Sequence, residues 1–399
     1  MGRATAERAW VVYRAGFGVA LYTAVTTLSL WLISNGYGAL TLALIGTSLE
    51  VAYTLSEVPT GVLADRYSRR LSLVVGLVLA GVSAICSVIV WLPSLMLFSA
   101  LWGVGWTCLS GADVAWITDE VGEEAARPLY ASGQRAELLG SAAGIGVGAA
   151  LGSIVLWLPL VGSGVLFLAL ALWLHLRMPE TAPPHTREDR PTVAETLRRV
   201  RSAIRGGRGL GIALAMMFAL GIGGEGVDRM WQLHLIGDRA HERSSVLVVS
   251  ALFVAGLLLG AYATGFVERV AHDPRRWLAV ANAGTAASVV ALAVAPWWLG
   301  ATGLVLSMAL RSASHPLVVA WVNDGADPAS RATLNSVVGQ AESVGEIVGG
   351  PLLGGIAAAA SVGAGLVVAG AMFGAAAVVT GARRQAGVTT PAEPSTTTT

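Results

Sequence analysis

Twelve apolar stretches, each about as long as a membrane-spanning helix, follow one another along this chain of 399 residues. A helix needs about 20 apolar residues to cross the hydrocarbon core of a bilayer. This succession predicts an all-α polytopic membrane protein with twelve transmembrane helices. The stretches lie at about 11–33, 39–63, 71–92, 95–117, 134–157, 160–176, 209–233, 245–267, 277–295, 299–322, 334–358 and 362–381.

The composition excludes most other classes of protein. Hydrophobic residues make up 54% of the chain and charged residues 13%, whereas an average soluble domain has about 25% charged residues. A single soluble core could not bury this much apolar surface. Without lysine there is no Gly-x-x-x-x-Gly-Lys phosphate loop, and no His/Cys spacing suggests a metal site. We therefore expect neither an enzyme nor a metal protein, and the net charge of +1 gives no reason to expect a nucleic-acid partner.

The distribution of arginine predicts how the chain is oriented. All 26 basic residues are arginine. They cluster in alternate loops and in both tails, and among the opposite loops only the 236–244 segment carries any. Because positively charged loops stay on the inner side of the membrane, we expect both termini to be cytoplasmic. The predicted location is the inner (plasma) membrane of a bacterium.

A long polar loop at 177–208 divides the chain into two sets of six predicted helices, 1–176 and 209–384. The loop begins with Pro-rich coil and continues as a short basic amphipathic helix over Thr192–Ile204, which we expect to lie on the membrane surface. The tail at 385–399 is rich in Thr and Pro and is expected to be disordered.

The two sets resemble each other in sequence. Segment 4 ends in Ala-Trp-Ile-Thr-Asp at 115–119, and segment 10 ends in Ala-Trp-Val-Asn-Asp at 320–324. Glycine-rich stretches follow in both halves, at 140–152 and 345–355. Parallel six-helix repeats imply a pseudo-two-fold axis along the membrane normal, with a binding site between the halves.

The loop after segment 2 carries the most specific motif, Gly-Val-Leu-Ala-Asp-Arg-Tyr-Ser-Arg-Arg at 61–70. It resembles the signature loop of the major facilitator superfamily, and a degenerate copy lies at 265–276. Ser68 replaces the second glycine of the family pattern, and an unusual backbone angle there would alter the turn. The resemblance implies the fold of that superfamily, two pseudo-symmetric bundles of six helices.

The resemblance also implies that this loop latches the cytoplasmic side shut in the outward-open state. Gly61 would let two helices approach closely, and Asp65 could accept hydrogen bonds from a neighbouring helix N-terminus. The plainer alternative is a loop that only sets topology. The proposed latch consists of Gly61, Asp65, Arg66, Arg69 and Arg70, with Asp113 and Asp119 beside it.

A narrower resemblance links the chain to the drug-exporting branch of the superfamily. It rests on the end of segment 4, Ser110–Trp116 with Asp119, and on the glycines of segment 5, although Ala149 replaces the proline of the antiporter motif. The arginine that many proton-driven exporters carry in segment 4 is missing, which puts the usual coupling route in doubt. Close helix packing is the simpler explanation of the glycine-rich positions, which are Gly140, Gly144, Gly148, Gly349, Gly350 and Pro351.

Several charged residues lie within the predicted spans. Each costs about 2.5–3.5 kcal/mol near the membrane centre, so it usually lines a cavity or has a partner. We choose Glu50 and Glu346 first as proton carriers, with Arg311 as the expected partner that either sets the pKa of Glu346 or binds an anionic group of the substrate. The full predicted substrate and proton site is Glu50, Glu57, Glu225, Asp228, Arg229, Arg311, Glu342 and Glu346.

These charges also have a structural interpretation as fixed salt bridges. Glu225 and Arg229 are spaced for an i,i+4 pair on one helix face. For Arg14, snorkelling to the interface is sufficient. Glu137 is expected to be structural.

The sequence thus favours a secondary transporter that exports a small amphipathic compound in exchange for protons by alternating access. Uptake of a nutrient by symport or facilitated diffusion is the alternative, and a non-transporting sensor or a lipid flippase is a further one. The expected partners are a small-molecule substrate, protons and membrane lipids. We expect a monomer with no cofactor, driven by the proton gradient.

Overall fold

The computed structural model describes residues 2–181, 208–324 and 328–381. Within these ranges the chain forms thirteen α-helices and one short 3₁₀ helix, Gly237–His241, and no β-strand. The predicted helix at Thr192–Ile204 and the tail at 385–399 lie outside the described residues. The helices are α1 (Gly2–Ser34), α2 (Ala39–Arg66), α3 (Arg69–Cys86), α4 (Leu92–Leu109), α5 (Ala112–Val121), α6 (Glu123–Gly152), α7 (Leu158–Arg177), α8 (Arg208–Leu235), α9 (Arg243–Val270), α10 (Pro274–Val294), α11 (Trp297–Asn323), α12 (Pro328–Ala359) and α13 (Val362–Gly381).

Twelve crossings of the membrane account for these helices. Ten spans are long and apolar enough to cross a bilayer, and one of them, Leu92–Val121, joins α4 and α5. The chain breaks between these two helices at Gly111, whose φ of 78° lies in the left-handed region. The other two crossings are α6 and α12, with 30 and 32 residues, which carry several charges and many glycines in place of large apolar side chains.

The helix contacts repeat between α1–α7, here called the N-half, and α8–α13, the C-half. The pairs α1–α6, α2–α4 and α3–α7 of the N-half correspond to α8–α12, α9–α11 and α10–α13 of the C-half. This is the pattern expected of two six-crossing repeats. The N-half core is built around Trp10, Trp116 and Phe167, and the C-half core around Trp231 and Phe373.

The two halves contact each other along α2 and α12, and on one side of the membrane also through α6 and α9. We call the side on which α1 begins the termini side and the opposite side the far side. On the far side α2 packs on α12, where a Cβ on Gly354 would lie 2.8 Å from the Cβ of Ala43 and 3.0 Å from the Cα of Leu40. There α6 also meets α9, near Gly152 and Val246.

On the termini side, no described atom outside the helix's own backbone lies within 4 Å of a Cβ placed on Gly61, nor on Gly265 in the equivalent loop of the C-half. Gly61 thus makes no close helix contact with the described residues in this conformation. The expected latch belongs to the outward-open state, so the role of Gly61 in it stays a prediction.

The predicted packing glycines lie at close helix contacts. Gly140, Gly144 and Gly148 face the backbone of α1. Gly349 faces Ile222 of α8, whereas Gly350 faces Thr47 of α2 in the other half. Pro351, which follows them within α12, is exposed. The glycine-rich face of α12 thus contacts both halves.

Candidate transport site

A cavity of about 510 Å³ lies between the two halves, in the part of the membrane nearer the termini side. It is bounded by α2, α4 and α12. Its walls are formed by Leu49, Glu50, Tyr53, Glu57, Trp102, Trp106, Asn335, Ser336, Gly339, Gln340, Glu342, Ser343 and Glu346. The sequence reasoning found the four carboxyl groups but missed the aromatic and amide side chains around them.

Glu50 and Glu346 face each other at the end of the cavity that is farther from the termini side. Glu50 lies on α2 of the N-half and Glu346 on α12 of the C-half. Their carboxyl groups lie within hydrogen-bonding reach of each other. A carboxylate has no donor, so a hydrogen bond between them requires a proton on one of the two groups.

A second polar contact joins the halves closer to the termini side. The side-chain amide of Gln340 on α12 donates a hydrogen bond to the Glu57 carboxyl on α2. Together with the pair of Glu50 and Glu346, it gives two polar contacts between the facing surfaces of α2 and α12. Gln340 was not among the predicted site residues, although Gly-Gln at 339–340 repeats the Gly-Gln at 133–134 of the N-half and could have flagged it.

Arg311 does not pair with Glu346, and that expectation is wrong. Its two terminal nitrogens each lie 2.7 Å from a carboxylate oxygen of Asp228. This bidentate arrangement ties α11 to α8 within the C-half. Among the described residues, neither Glu342 nor Glu346 has a cation within ion-pair distance.

The second buried guanidinium, that of Arg229, binds Glu225 as the i,i+4 spacing predicts. Arg229 Nε lies 2.8 Å from Glu225 Oε1, and the Glu225 side chain is only 4% exposed. A Cβ on Gly46 would collide with both side chains. Gly46 thus lets α2 of the N-half lie directly against this ion pair of the C-half.

The N-half contains a charge cluster of its own. Arg14 on α1 donates to Asp113 at 2.8 Å and also to Glu137 on α6. The guanidinium of Arg14 lies 5.4 Å from the ring centroid of Trp10. Snorkelling therefore does not describe Arg14, and Asp113 has Arg14 as its ion-pair partner, while its expected role beside the latch stays a prediction. Asp113 faces inward because it begins α5, directly after the break at Gly111.

The signature loop is held within the N-half. Arg69 Nε lies 3.7 Å from Asp119 Oδ2, which places Asp119 beside the loop as expected. The side chains of Asp65 and Arg66 lie outside the described residues. Glu180 reaches back to the start of α3, where it accepts hydrogen bonds from the Ser68 hydroxyl at 2.6 Å and the Arg70 backbone N–H at 3.1 Å.

The backbone conformation and the hydrogen bonding of Ser68 explain why serine can replace the second glycine of the family pattern. Its φ of −169° is ordinary extended backbone, so the position has no need of glycine. Its hydroxyl oxygen accepts from the Leu71 N–H and thereby caps α3. The suggestion of an unusual backbone angle at this residue is therefore wrong.

The aromatic wall of the cavity comes from the N-half. Trp102 and Trp106 lie one turn apart on α4, and Tyr53 lies on α2. Trp106 occupies the region where the drug exporters carry arginine, and beside it the Thr107 hydroxyl lies 3.1 Å from that of Ser56. Across the residues described, no group of three His, Cys, Asp or Glu side chains could hold a metal ion.

A bundle of twelve crossings with a polar cavity between repeated halves defines a class, the membrane transporters that work by alternating access. A model of the Major Facilitator Superfamily matches residues 13–233, more than half of the chain. The chain belongs to this superfamily, whose members are transporters and not enzymes.

Individual relatives agree with this assignment. YxaM of Bacillus subtilis (strain 168), an uncharacterized MFS-type transporter, is 23% identical over 353 residues, covering 85% of this chain and 86% of that one. A crystal structure of a mutant nucleoside transporter NupG has a TM-score of 0.78 at 13% identity, with 94% and 97% of the two chains covered. A D-xylose-proton symporter has a TM-score of 0.72 at 15% identity, covering 94% and 96%.

Proposed function

We propose that this protein exports a small amphipathic compound in exchange for protons, with Glu50 and Glu346 as the proton-carrying pair. It would work as a monomer in the inner membrane of a bacterium, with both termini in the cytoplasm. The energy would come from the proton gradient. The observation that carries the proposal is the close approach of the Glu50 and Glu346 carboxyl groups, which belong to different halves and line one cavity.

The position of the pair supports a role in coupling. The two groups belong to different halves and both line the cavity. When one half rocks against the other, the distance between α2 and α12 changes, and a proton shared across that gap changes its environment. The proton would bind in one state and leave in the other, which ties its movement to the alternation of access.

Export is supported by the resemblance of Ser110–Trp116 with Asp119, at the break before α5 and within it, and of the glycines in α6 to drug-exporting members. Uptake by symport is the second candidate, since a D-xylose-proton symporter shares the fold. The direction in which the substrate moves relative to the protons distinguishes export from symport, and this direction can be measured. In either case the small-molecule substrate would enter the cavity lined by Trp102, Trp106 and Glu342.

Everted membrane vesicles energised by respiration test the proposal. A panel of amphipathic compounds is added while the internal pH is followed with a fluorescent dye. For export, a compound should partly collapse the proton gradient in wild-type vesicles and leave it intact in vesicles with Glu50→Gln or Glu346→Gln. Glu242→Gln is the matched control, because Glu242 lies outside the cavity, at the start of α9 on the far side.

Two results would count against the proposal. If transported compounds move without any change in the proton gradient, the coupling fails and facilitated diffusion replaces it. If a compound is taken up with protons in right-side-out vesicles and is not exchanged in everted ones, symport is correct.

A further inference from the structure

We propose that the substrate is an organic cation with an aromatic ring system, bound between the tryptophans of α4 and the carboxyl groups of α12. This inference rests on the proposed function insofar as it takes the cavity as the transport site. It names the chemistry that the cavity selects, which the family and the relatives leave open.

The charge of the cavity is the first argument. Four carboxyl groups line it, those of Glu50, Glu57, Glu342 and Glu346, and no Arg or His is among the described residues that line it. The two guanidinium groups next to it are occupied, since Arg229 binds Glu225 and Arg311 binds Asp228. A proton shared between Glu50 and Glu346 neutralises one carboxyl only.

Such a cavity discriminates by charge. An anion would be repelled by the remaining carboxylates. A neutral compound would displace water from them and leave them without a partner, which is costly in a site away from bulk water. A cation replaces the lost water with an ion pair.

The aromatic wall is the second, independent argument. Trp102, Trp106 and Tyr53 face the cavity from the N-half, opposite the acidic face of α12. Trp106 is 38% exposed, and Phe17 supports its ring from behind at a centroid distance of 5.7 Å. Indole faces attract cations within about 6 Å through the ring quadrupole, and they also stack on flat apolar groups.

The size and the polar groups fit an organic ion better than a metal ion. A cavity of about 510 Å³ falls within the range of drug-sized binding sites, roughly 300–1,000 Å³. Throughout the described part of the chain the acidic side chains are too dispersed for three of them to bind one metal ion. Gln340 is already engaged with Glu57, which leaves few free amide groups for a sugar.

Binding to the purified protein without any gradient tests this inference. Tetraphenylphosphonium is compared by equilibrium dialysis with tetraphenylborate, an anion of the same shape, and with neutral triphenylphosphine oxide. The smaller cation 1-methylquinolinium is tested as well, so that exclusion of tetraphenylphosphonium by its size alone is not mistaken for a lack of cation binding. We expect saturable binding of at least one cation, and no competition by the anion or the neutral compound.

Variants locate the bound cation. Glu342→Gln removes a carboxyl that does not belong to the proton-sharing pair, and we expect it to weaken cation binding about tenfold or more. Trp106→Leu keeps apolar surface but removes the ring, and should weaken binding about fivefold. Glu242→Gln is the control and should bind as wild type does. Each variant is used only if its thermal midpoint shows that it is folded.

The inference is overturned if the anion or the neutral compound binds as tightly as the cations, or if neither cation binds saturably. It is also overturned if the double variant with Glu57→Gln and Glu342→Gln retains wild-type affinity. If cations bind but do not drive proton exchange in vesicles, the proposed proton coupling is wrong and the proposed substrate class stands. If only neutral or anionic compounds drive proton exchange, the proton coupling stands and the proposal of a cationic substrate is wrong.

Discussion

Arg311 and Asp228 are joined by two hydrogen bonds of 2.7 Å each, which tie α11 to α8 inside the C-half. The sequence pointed to Glu346 as the partner of Arg311, and the consequence of the difference is large. Because Asp228 neutralises Arg311, Glu346 and Glu342 are not held in an ion pair with it. They are therefore free to take part in proton transfer or in binding a cation. The proposals for coupling and for cation binding both depend on this arrangement.

Neutralising either member of this pair should destabilise the protein. Arg311→Gln and Asp228→Asn each leave one charge in the membrane without its partner, and we expect a cost of about 1–2 kcal/mol. Charge-assisted hydrogen bonds contribute about 1.5–3 kcal/mol, and the half-exposed Asp228 side chain lowers the figure. Thermal unfolding in detergent measures the effect. The double variant should regain most of the loss, and a double variant as unstable as the sum of both would refute the pairing.

The cluster around Arg14 makes a prediction for the N-half. Arg14→Gln leaves Asp113 and Glu137 facing each other without a cation, and we expect a loss of about 3 kcal/mol. Asp113→Asn and Glu137→Gln should each cost less, since Arg14 keeps one carboxylate. Thermal midpoints of the three purified variants give the order. Arg127→Gln serves as the control, because its pair with Glu123 is exposed on both sides. Equal midpoints for all four would contradict the cluster.

Locking the far side should stop transport. Gly350 of α12 faces the hydroxyl of Thr47 on α2. In a background with Cys86→Ser and Cys108→Ser, Thr47→Cys with Gly350→Cys should form a disulfide on oxidation, because the two Cβ atoms would lie 3.6 Å apart. Uptake or efflux of a transported compound should fall to background and return when the disulfide is reduced. Full transport by the cross-linked protein would mean that α2 and α12 do not separate on that side.

Ser68 allows a test of the signature loop. Ser68→Gly restores the family pattern, yet it removes the cap of α3 and the hydrogen bond to Glu180. We expect this variant to be less stable by about 1 kcal/mol, since replacing an N-cap residue with glycine costs only a few tenths of a kcal/mol and the lost hydrogen bond to Glu180 accounts for most of the rest. Ser68→Thr keeps the hydroxyl and should be nearly neutral. A more stable glycine variant would show that the turn at this position is strained.

The fold was predictable because membrane crossings follow from local composition. Helices α7 and α8 begin and end within two residues of the predicted stretches at 160–176 and 209–233. The prediction was poorest for α6, which begins at Glu123, eleven residues before the stretch predicted at 134–157. Its first turns carry charges that sit at the membrane edge, and apolar periodicity cannot detect them. The break between α4 and α5 was also missed, because a single glycine in an apolar run carries no clear signal.

The site was predictable residue by residue but not pair by pair. Intramembrane carboxyl and guanidinium groups are rare, so Glu50, Glu346 and Arg311 stand out in the sequence. Which of them touch depends on how the helices rotate and pack, and this decided that Arg311 meets Asp228. The pair formed by Glu225 and Arg229 was correct because both residues lie on one helix, where spacing alone sets the contact.

Infrared spectroscopy of the purified protein tests the shared proton between Glu50 and Glu346 most directly. A protonated carboxyl group absorbs apart from a carboxylate, and the band shifts in D₂O. At neutral pH the wild type should show a protonated carboxyl band that both Glu50→Gln and Glu346→Gln lose, since the remaining carboxylate can then accept from the new amide. A wild-type spectrum without this band, or a band unchanged in both variants, would contradict the proton-carrying pair.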